Sequence, residues 1–300
     1  MEGESDLKRI YFGISGWSYP DWEGIVYPKP KPKGFHPLEL ICELVDVVEI
    51  NSSFYAPVSS ASAKSWVKIV EKNPSFCFTA KLWQKFTHQQ EEWSKEDEKI
   101  FKAGIEPLFS SGLLCCLLVQ FPWSFVCKEE NFARLKKIAS AFQEFPLVVE
   151  LRHNSWNKTW FIEWLKEKEI GFASIDQPLF SNSLPPTEII TSKISYVRLH
   201  GRNKEKWFKE DAQSWERYDY LYSKQELLEW KERIERLKEK SEMVFVVSNN
   251  HFQGKGLVNA LELKFFFTKK PVKIPSRLIE RYPRLKEIGL PKEPQLKLFS

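Results

Sequence analysis

The sequence has none of the short motifs that assign a reaction directly. Its 300 residues contain no HExxH, no zinc-finger spacing, no C-x-x-C and no glycine-rich phosphate loop. The standard zinc and nucleotide-phosphate motifs are therefore excluded. The five cysteines have no evident metal or redox role, and we expect them to be buried, reduced thiols.

Long apolar runs and an excess of charge of one sign are also absent. The longest apolar run, residues 113–119, is far shorter than the roughly 20 residues that a transmembrane helix needs. The N-terminal MEGESDLKR is polar, so we expect no signal peptide. The net charge of +5, from 45 basic and 40 acidic residues, does not by itself indicate a nucleic-acid partner. We therefore expect a cytoplasmic protein without a membrane segment.

What the sequence does contain is a regular alternation of short apolar segments with helical patterns. The segments predicted as buried strands are residues 10–15, 46–51, 76–81, 113–120, 146–151, 171–176, 194–199 and 243–249. Helix signals lie between most of them, such as the capping box that begins at Ser223. Eight strand–helix units in 300 residues predict a single α/β barrel of the TIM type, with an open doubly wound sheet as the alternative.

Two parts of the chain depart from this alternation. Pro185 and Pro186 rule out an ordinary helix between residues 177 and 193, where we expect an extended loop. After a last helix near residues 257–267 the chain becomes rich in Lys and Pro. We therefore assign residues 1–268 to the barrel domain and residues 269–300 to a C-terminal extension.

Polar side chains collect where the predicted strands end. They are Ser15, Trp17, Glu49, Asn51, Lys81, Gln120, Glu150, Arg152, His153, Asp176, Arg198, His200, Arg202, Asn249, Asn250 and His251. In an α/β barrel the C-terminal ends of the strands meet at one face, and that face holds the active site. The positions therefore predict one functional pocket.

The charges in this set favour an anion over a metal. Three carboxylates, those of Glu49, Glu150 and Asp176, together with three imidazoles could bind a divalent metal such as zinc or manganese. Four cations fall on the same rim, and they would repel a metal unless an anion lay between them. Arginine forks suit a phosphate, so Lys81, Arg152, Arg198 and Arg202 are predicted to hold one. Glu49 or Glu150, with His200 and Asp176, would orient the arginines or transfer protons.

Aromatic residues follow several strand ends. Trp17, Tyr19 and Trp22 follow the first strand, Phe54 and Tyr55 follow the second, and Trp123 and Trp156 follow the fourth and fifth. They either pack the loops over the barrel or form a platform on which a sugar or base ring stacks.

Seven ordered motifs resemble those of a known family. GISGWSYPDWEGIVYP, VEINSSFYAP, FTAKLWQKFTH, LVQFPWSF, VVELRHNSW, YVRLHGR and NNHFQGKGLVNALEL are similar to motifs of the YecE-like family, domain of unknown function 72, over about residues 10–267. The resemblance implies a TIM-type barrel and supplies no reaction. The barrel is also similar to those of endonuclease IV and xylose isomerase, which use metals at the strand ends, but this is analogy at the level of fold.

The C-terminal residues carry a second resemblance. Gln295, Leu296, Leu298 and Phe299 form a sequence similar to the QLxLF peptide that binds the bacterial sliding clamp. Leu298 and Phe299 could fill a partner's apolar groove, or they could fold back onto the barrel.

Three functions remain open from the sequence. The first is a hydrolase or lyase that acts on a phosphate-containing substrate, with nucleic acid as one option. The second is a non-catalytic binder of nucleic acid or nucleotide that the tail recruits to the sliding clamp. The third is a carbohydrate-processing barrel with Glu49 and Glu150 as its carboxylate pair.

Overall fold

The computed structural model describes residues 10–89, 91–209, 213 and 215–292. One parallel sheet contains nine strands: β1 (Ile10–Ser15), β2 (Val47–Ile50), β3 (Cys77–Lys81), β4 (Leu114–Gln120), β5 (Leu147–Glu150), β6 (Gly171–Phe172), β7 (Ser174–Asp176), β8 (Ile194–Leu199) and β9 (Met243–Ser248). Their order is β6-β5-β4-β3-β2-β1-β9-β8-β7.

Strands β6 and β7 are two halves of one stretch, separated only by Ala173. β6 pairs with β5 and β7 pairs with β8, while the Ala173 N–H donates to the Val149 carbonyl at 2.9 Å. The two edges of the sheet therefore meet at Ala173, and the sheet is nearly closed into a TIM-like barrel. The predicted fold class is confirmed, and the predicted strands agree with the observed ones to within about one residue at each end.

Helices follow most strands and form the outer layer. They are α1 (Pro37–Leu44), α2 (Ser52–Tyr55), α3 (Ser60–Val70), α4 (Gln84–Thr87), α5 (Lys95–Ser110), α6 (Glu129–Ala141), α7 (Thr159–Glu167), α8 (Lys204–Trp207), α9 (Lys224–Lys238), α10 (Lys255–Thr268) and α11 (Ser276–Arg281). The predicted capping box is present at the start of α9, where Ser223 and Glu226 bond reciprocally. In the part of the chain that the structure describes, no helix combines the length and apolar character needed to cross a membrane.

The long connection between β7 and β8 contains no helix, as Pro185 and Pro186 predict. Its Leu184 is buried, and the Leu184 N–H donates to the carbonyl of Arg152 at 2.8 Å. The Gln177 amide donates to the same carbonyl at 3.2 Å. The loop is thus attached to the segment that follows β5.

The C-terminal segment is folded through residue 292, beyond the predicted end of the barrel domain at residue 268. It contains β10 (Val272–Pro275), α11 and β11 (Gly289–Lys292), and β10 and β11 form a small parallel sheet. Val272, Ile274, Leu278, Ile279, Tyr282, Leu285 and Ile288 are buried in the main apolar core. The Lys and Pro content of this part of the sequence did not indicate these elements, although the apolar residues of β10 alternate.

Polar contacts also attach this segment to the barrel. The Tyr282 hydroxyl donates to the Gln253 carbonyl at 2.9 Å, and Arg281 donates to the Gln253 side chain at 2.7 Å. Gln253 has a positive φ of 51° and lies in the loop after β9. Arg284 donates to the buried carboxylate of Glu262 on α10. The segment therefore braces one of the loops at the barrel mouth.

Candidate active site at the barrel mouth

Alternation along the strands places one set of polar side chains inside the barrel. Val47, Cys77, Cys116, Val148, Tyr196 and Phe245 belong to one buried cluster that fills the barrel interior. In an extended strand, residues two positions apart point the same way. The side chains that share this inward parity nearer the C-terminal strand ends are those of Glu49, Lys81, Gln120, Glu150, Arg198, His200 and Asn249.

Arg198 lies at the centre of this inner cluster and has no exposed surface. Its Nη2 donates to Glu49 Oε1 at 2.6 Å, and its Nη1 donates to Glu150 Oε2 and, at 3.1 Å, to Gln120 Oε1. Two carboxylates on one guanidinium form a charge-assisted bridge in a dry environment. The carboxylates outweigh the effect of burial and raise the pKa of Arg198 above its ordinary value.

Both oxygens of Glu49 accept further hydrogen bonds. Ser15 Oγ donates to Glu49 Oε1 at 2.7 Å, and the Tyr196 hydroxyl donates to Glu49 Oε2 at 3.0 Å. The Tyr196 hydroxyl lies 2.7 Å from Thr79 Oγ1. Glu49 is completely buried, so this carboxylate holds the inner cluster together instead of facing the solvent.

The second oxygen of Glu150 contacts Arg152 and His200, which lie nearer the barrel mouth. Glu150 Oε1 lies 3.0 Å from Arg152 Nε, 2.9 Å from Arg152 Nη2 and 3.3 Å from His200 Nε2. Burial alone would raise the pKa of Glu150, but Arg198 and Arg152 outweigh it and hold that pKa well below its usual value. Burial and the charge of Arg152 lower the pKa of His200 to about 3. The neutral imidazole accepts at Nδ1 from the Asn249 amide, at 3.0 Å, and carries its proton on Nε2.

These contacts bear on the roles predicted for three residues, Arg198, Glu49 and Glu150. Arg198 is enclosed between Glu49 and Glu150, so it supports the site from below and has no surface with which to contact an anion. The carbohydrate alternative needs an open cleft between the two carboxylates, and one guanidinium fills that space instead. Glu49 and Glu150 fit the predicted role of orienting arginines.

Lys81 differs from the other cations of the inner cluster. It is 7 % exposed, and its Nζ lies 4.2 Å from the centre of the Phe54 ring. Among the described residues, no carboxylate lies within 4.0 Å of this amine and no group accepts a hydrogen bond from it. Burial, reinforced by Arg198, lowers the pKa of Lys81 to about 7 although Glu49 and Glu150 oppose the shift.

Further residues line the mouth beside Lys81. The His88 ring lies edge-on to Phe54 at 4.8 Å, and burial, with the charge of Lys81, lowers the pKa of His88 to about 4. Asn51 is half-buried at the end of β2, and Tyr55 is 64 % exposed next to Phe54. The mouth at this side therefore presents one amine, one neutral imidazole, an amide and a phenol.

Asp176 and Arg202 form a separate outer cluster on the other side of the sheet. Arg202 Nε lies 3.1 and 2.9 Å from the two oxygens of Asp176, and Arg202 Nη1 donates to Glu226 Oε1 at 3.0 Å. Glu226 also accepts from the Tyr220 hydroxyl at 2.6 Å. Burial raises the pKa of Asp176, although Arg202 opposes that shift. The structure therefore places Asp176 and Arg202 apart from the mouth residues with which the sequence grouped them.

Gly201 explains why Arg202 leaves the inner face. Its φ of +90° belongs to the left-handed region that side chains disfavour, so the chain turns out of the strand there. Strict alternation from Arg198 through His200 to Arg202 ends at this turn. The inner cluster contains Arg198 and His200, and the outer cluster contains Arg202.

The other predicted residues lie around the mouth loops or in the core. Trp17 is buried against Trp66, with the ring centres 5.0 Å apart. His153 Nδ1 lies 2.8 Å from Ser155 Oγ. The Asn250 amide donates to the Tyr220 carbonyl at 2.6 Å.

His251 completes these loop contacts. Its ring stacks on Tyr19 at 4.3 Å, and its Nδ1 is buried without a partner among the described residues. Burial lowers the pKa of His251.

Most of the predicted aromatic residues pack the loops. Trp22 and Trp156 are completely buried, and Trp156 stacks on Phe125 at 5.4 Å. Tyr55 and Trp123 keep exposed surface at the mouth. The prediction for Gln295, Leu296, Leu298 and Phe299 lies outside the described residues and stays a prediction.

One contributor to the site, Thr79, was absent from the predicted set. Thr79 lies two positions before Lys81 on the same strand, so the alternation that indicates Lys81 also indicates Thr79. Phe54 lies in α2, and the sequence indicates it only as one of the aromatic residues that follow a strand end. Its position above the Lys81 amine requires the fold.

Two features that often identify a functional site, a group of metal ligands and a large groove, do not identify this one. Within residues 10–89, 91–209, 213 and 215–292, no group of three His, Cys, Asp or Glu side chains is arranged to hold a metal ion. A groove of about 900 Å³ lies at the opposite end of the barrel, where Leu147, Ile194 and Met243 begin their strands. We locate the candidate site at the mouth because the charged groups with the most altered environments lie there.

Comparisons with known proteins agree with this architecture. The family model "Protein of unknown function DUF72" matches residues 11–280. The UPF0759 protein YunF of Bacillus subtilis (strain 168) is 33% identical over 268 residues, which cover 85% of this chain and 93% of that protein.

Two solved structures of DUF72 family proteins are similar over nearly their whole length. The one from Thermotoga maritima MSB8 has a TM-score of 0.73 and 32% identity, and it covers 86% of this chain and 98% of that chain. The one from Enterococcus faecalis V583 has a TM-score of 0.76 and 28% identity, and it covers 86% and 95%. The chain belongs to the DUF72 family.

Proposed function

We propose that the barrel mouth is an active site for a phosphate-containing substrate, and that Lys81 and Arg152 contact its anionic group. The observation that carries the proposal is the unpaired amine of Lys81. Lys81 has no carboxylate partner among the described residues, whereas Arg152, Arg198 and Arg202 each have at least one. An amine that lacks a counter-ion in a nearly buried position favours the arrival of an anion.

The charge balance of the inner cluster supports the same conclusion. The carboxylates of Glu49 and Glu150 and the guanidiniums of Arg198 and Arg152 cancel one another. Protonated Lys81 then leaves the mouth with one positive charge. A bound phosphate would favour the protonated amine and raise the pKa of Lys81 from about 7, so binding should take up a proton at pH 8.

The reaction that fits this mouth is that of a lyase or hydrolase. His88 is a half-buried imidazole that is neutral at pH 7, and it adjoins Phe54 beside the Lys81 amine. A neutral imidazole near the substrate can accept a proton. Glu150 and His200 are bonded to each other within the buried cluster, which favours a positioning role for both.

Calorimetric titration with inorganic phosphate tests the proposal. We compare the wild-type protein, Lys81→Met, and Lys85→Met as the matched control, because the Lys85 amine is paired with Asp97 at 2.7 Å. We expect at least tenfold weaker binding in Lys81→Met and little change in Lys85→Met. Titration in buffers of different ionisation enthalpy should show proton uptake at pH 8. Absent binding, or equal binding in both variants, would refute the proposal.

The size of the substrate is tested separately with a short single-stranded oligonucleotide. Contacts to several phosphates would make the affinity fall steeply with salt, whereas one phosphate at the mouth would give a shallow dependence. We expect the shallow dependence, because the inner cluster offers one unpaired cation among the described residues.

A further inference from the structure

We infer that Lys81 is a covalent nucleophile whose amine forms an imine with an aldehyde or ketone that carries a phosphate group. The inference rests on the proposed function for the phosphate, and it adds the carbonyl group and the identity of the reacting atom. It also selects the lyase over the hydrolase.

The position of Lys81 favours an uncharged amine. The side chain is almost fully buried, its Nζ faces the Phe54 ring at 4.2 Å, and no described group accepts a hydrogen bond from it. The charged and titratable groups that act on this amine from the surrounding elements are Arg198, Arg152, Glu49, Glu150 and His88. The two guanidiniums repel a proton on Nζ, and each carboxylate is already bonded to a guanidinium.

Such an environment is known to activate lysine. An amine becomes nucleophilic near neutral pH when it is desolvated or lies next to another cation, and both conditions hold at Lys81. With a pKa of about 7, about half of the Lys81 amines are neutral at pH 7. Lys85, by contrast, forms an ion pair with Asp97 at 2.7 Å.

The backbone under Lys81 is fixed, which suits a group that must meet a carbonyl carbon. The Ser53 hydroxyl donates to the Lys81 carbonyl at 2.7 Å, and the Leu82 N–H donates to the Leu118 carbonyl at 2.9 Å. Lys81 ends a barrel strand, so its amine projects into the mouth from a rigid element. The site therefore holds the nucleophile in place before substrate arrives.

The covalent step balances without an oxidant or reductant. The neutral amine adds to the carbonyl carbon, and its two protons leave with the carbonyl oxygen as one water molecule. A proton from solvent converts the imine into an iminium ion. The iminium withdraws electrons from a bond next to the former carbonyl carbon, and cleavage of such a bond is lyase chemistry. The phosphate of the substrate offsets the positive charge that the iminium adds beside Arg152 and Arg198.

Reductive trapping on the wild-type protein tests the inference. The probe is glyceraldehyde 3-phosphate with cyanoborohydride at pH 7, followed by peptide mass mapping, and glyceraldehyde is the phosphate-free comparison. We expect Lys81 to be labelled at least tenfold faster than Lys85. Inorganic phosphate should slow this labelling, and the rate against pH should rise through about pH 7. Lys81→Arg, which keeps the charge and cannot form an imine, should lose the label.

The outcomes separate the two proposals. Phosphate binding without preferential labelling of Lys81 would overturn the imine and leave the phosphate site standing. Equal labelling by both aldehydes, with no phosphate binding, would overturn the phosphate site and leave the nucleophile standing. Labelling spread evenly over the lysines, with no phosphate binding, would overturn both.

Discussion

Residues 196–202, YVRLHGR, contribute one arginine to the inner cluster and one to the outer cluster, and the two arginines differ in burial. Arg198 in the inner cluster is completely buried between two carboxylates, whereas the Arg202 side chain in the outer cluster is 33 % exposed. A buried guanidinium is held by its partners because water cannot replace them, and a half-exposed one can be solvated instead. The burial of each arginine, more than its number of ion pairs, therefore determines how much it contributes to the free energy of unfolding.

Arg198→Met should produce the largest effect, because it leaves Glu49 and Glu150 as uncompensated buried charges. We expect a loss of about 3–5 kcal/mol in the free energy of unfolding. Urea denaturation followed by far-UV circular dichroism measures it. A loss below that of Arg202→Met would contradict the ranking of the two clusters.

Lys81→Met should change the free energy of unfolding in the opposite direction, although Lys81 lies in the same inner cluster. Folding lowers the pKa of Lys81 from 10.5 to about 7, so the protonated amine destabilises the folded state. The penalty is complete below pH 7 and disappears as the pH rises to 10.5, because the folded protein then binds fewer protons than the unfolded chain. We expect the variant to be more stable than wild type by up to a few kcal/mol at pH 6, with the gain shrinking towards pH 10. A gain that does not change with pH would indicate a packing effect.

Gly201→Ala tests the turn that separates the clusters. An alanine at residue 201 would have to adopt the positive φ of the glycine. Its Cβ would lie 2.6 Å from Tyr220 Cβ. We expect a loss of about 1–2 kcal/mol in unfolding free energy. Gly34→Ala is the matched control, because it has a similar positive φ and open space around the added atom. Equal losses in the two variants would mean that φ alone matters and the contact with Tyr220 does not.

Arg202→Met should have the smallest effect. Asp176 is nearly buried, but Arg202→Met leaves one carboxylate without its guanidinium where Arg198→Met leaves two, and burial raises the pKa of Asp176, which eases its protonation. We expect a loss of about 1 kcal/mol, at the lower end of the cost of one unsatisfied buried polar group, measured by the same urea denaturation. Lys81 labelling should stay unchanged in this variant, because Arg202 lies outside the mouth; a changed labelling rate would show that the two clusters communicate.

The sequence was sufficient for the barrel and for the location of the mouth. Apolar segments of the right length identify all the barrel strands, and two-residue alternation places Arg198 and His200 on one face. Alternation fails at Arg202 because the positive φ of Gly201 ends the strand geometry. The residue types at the rim suggested free cations, because a sequence does not show whether an arginine is paired with a carboxylate. Only the interatomic distances show that Arg198 is neutralised and that Lys81 is not.

The brace between Gln253 and the C-terminal segment has a consequence for how the protein is made. Domains fold from the N-terminus as the chain leaves the ribosome. The loop that carries Asn249, Asn250 and His251 is held through Gln253 by Arg281 and Tyr282, which are among the last described residues to be synthesised. The strands of the barrel can therefore assemble during translation, while the mouth receives its final shape only near the end. A chain that ends at residue 268 would lack Arg281 and Tyr282, so the loop at the barrel mouth would not be held in place.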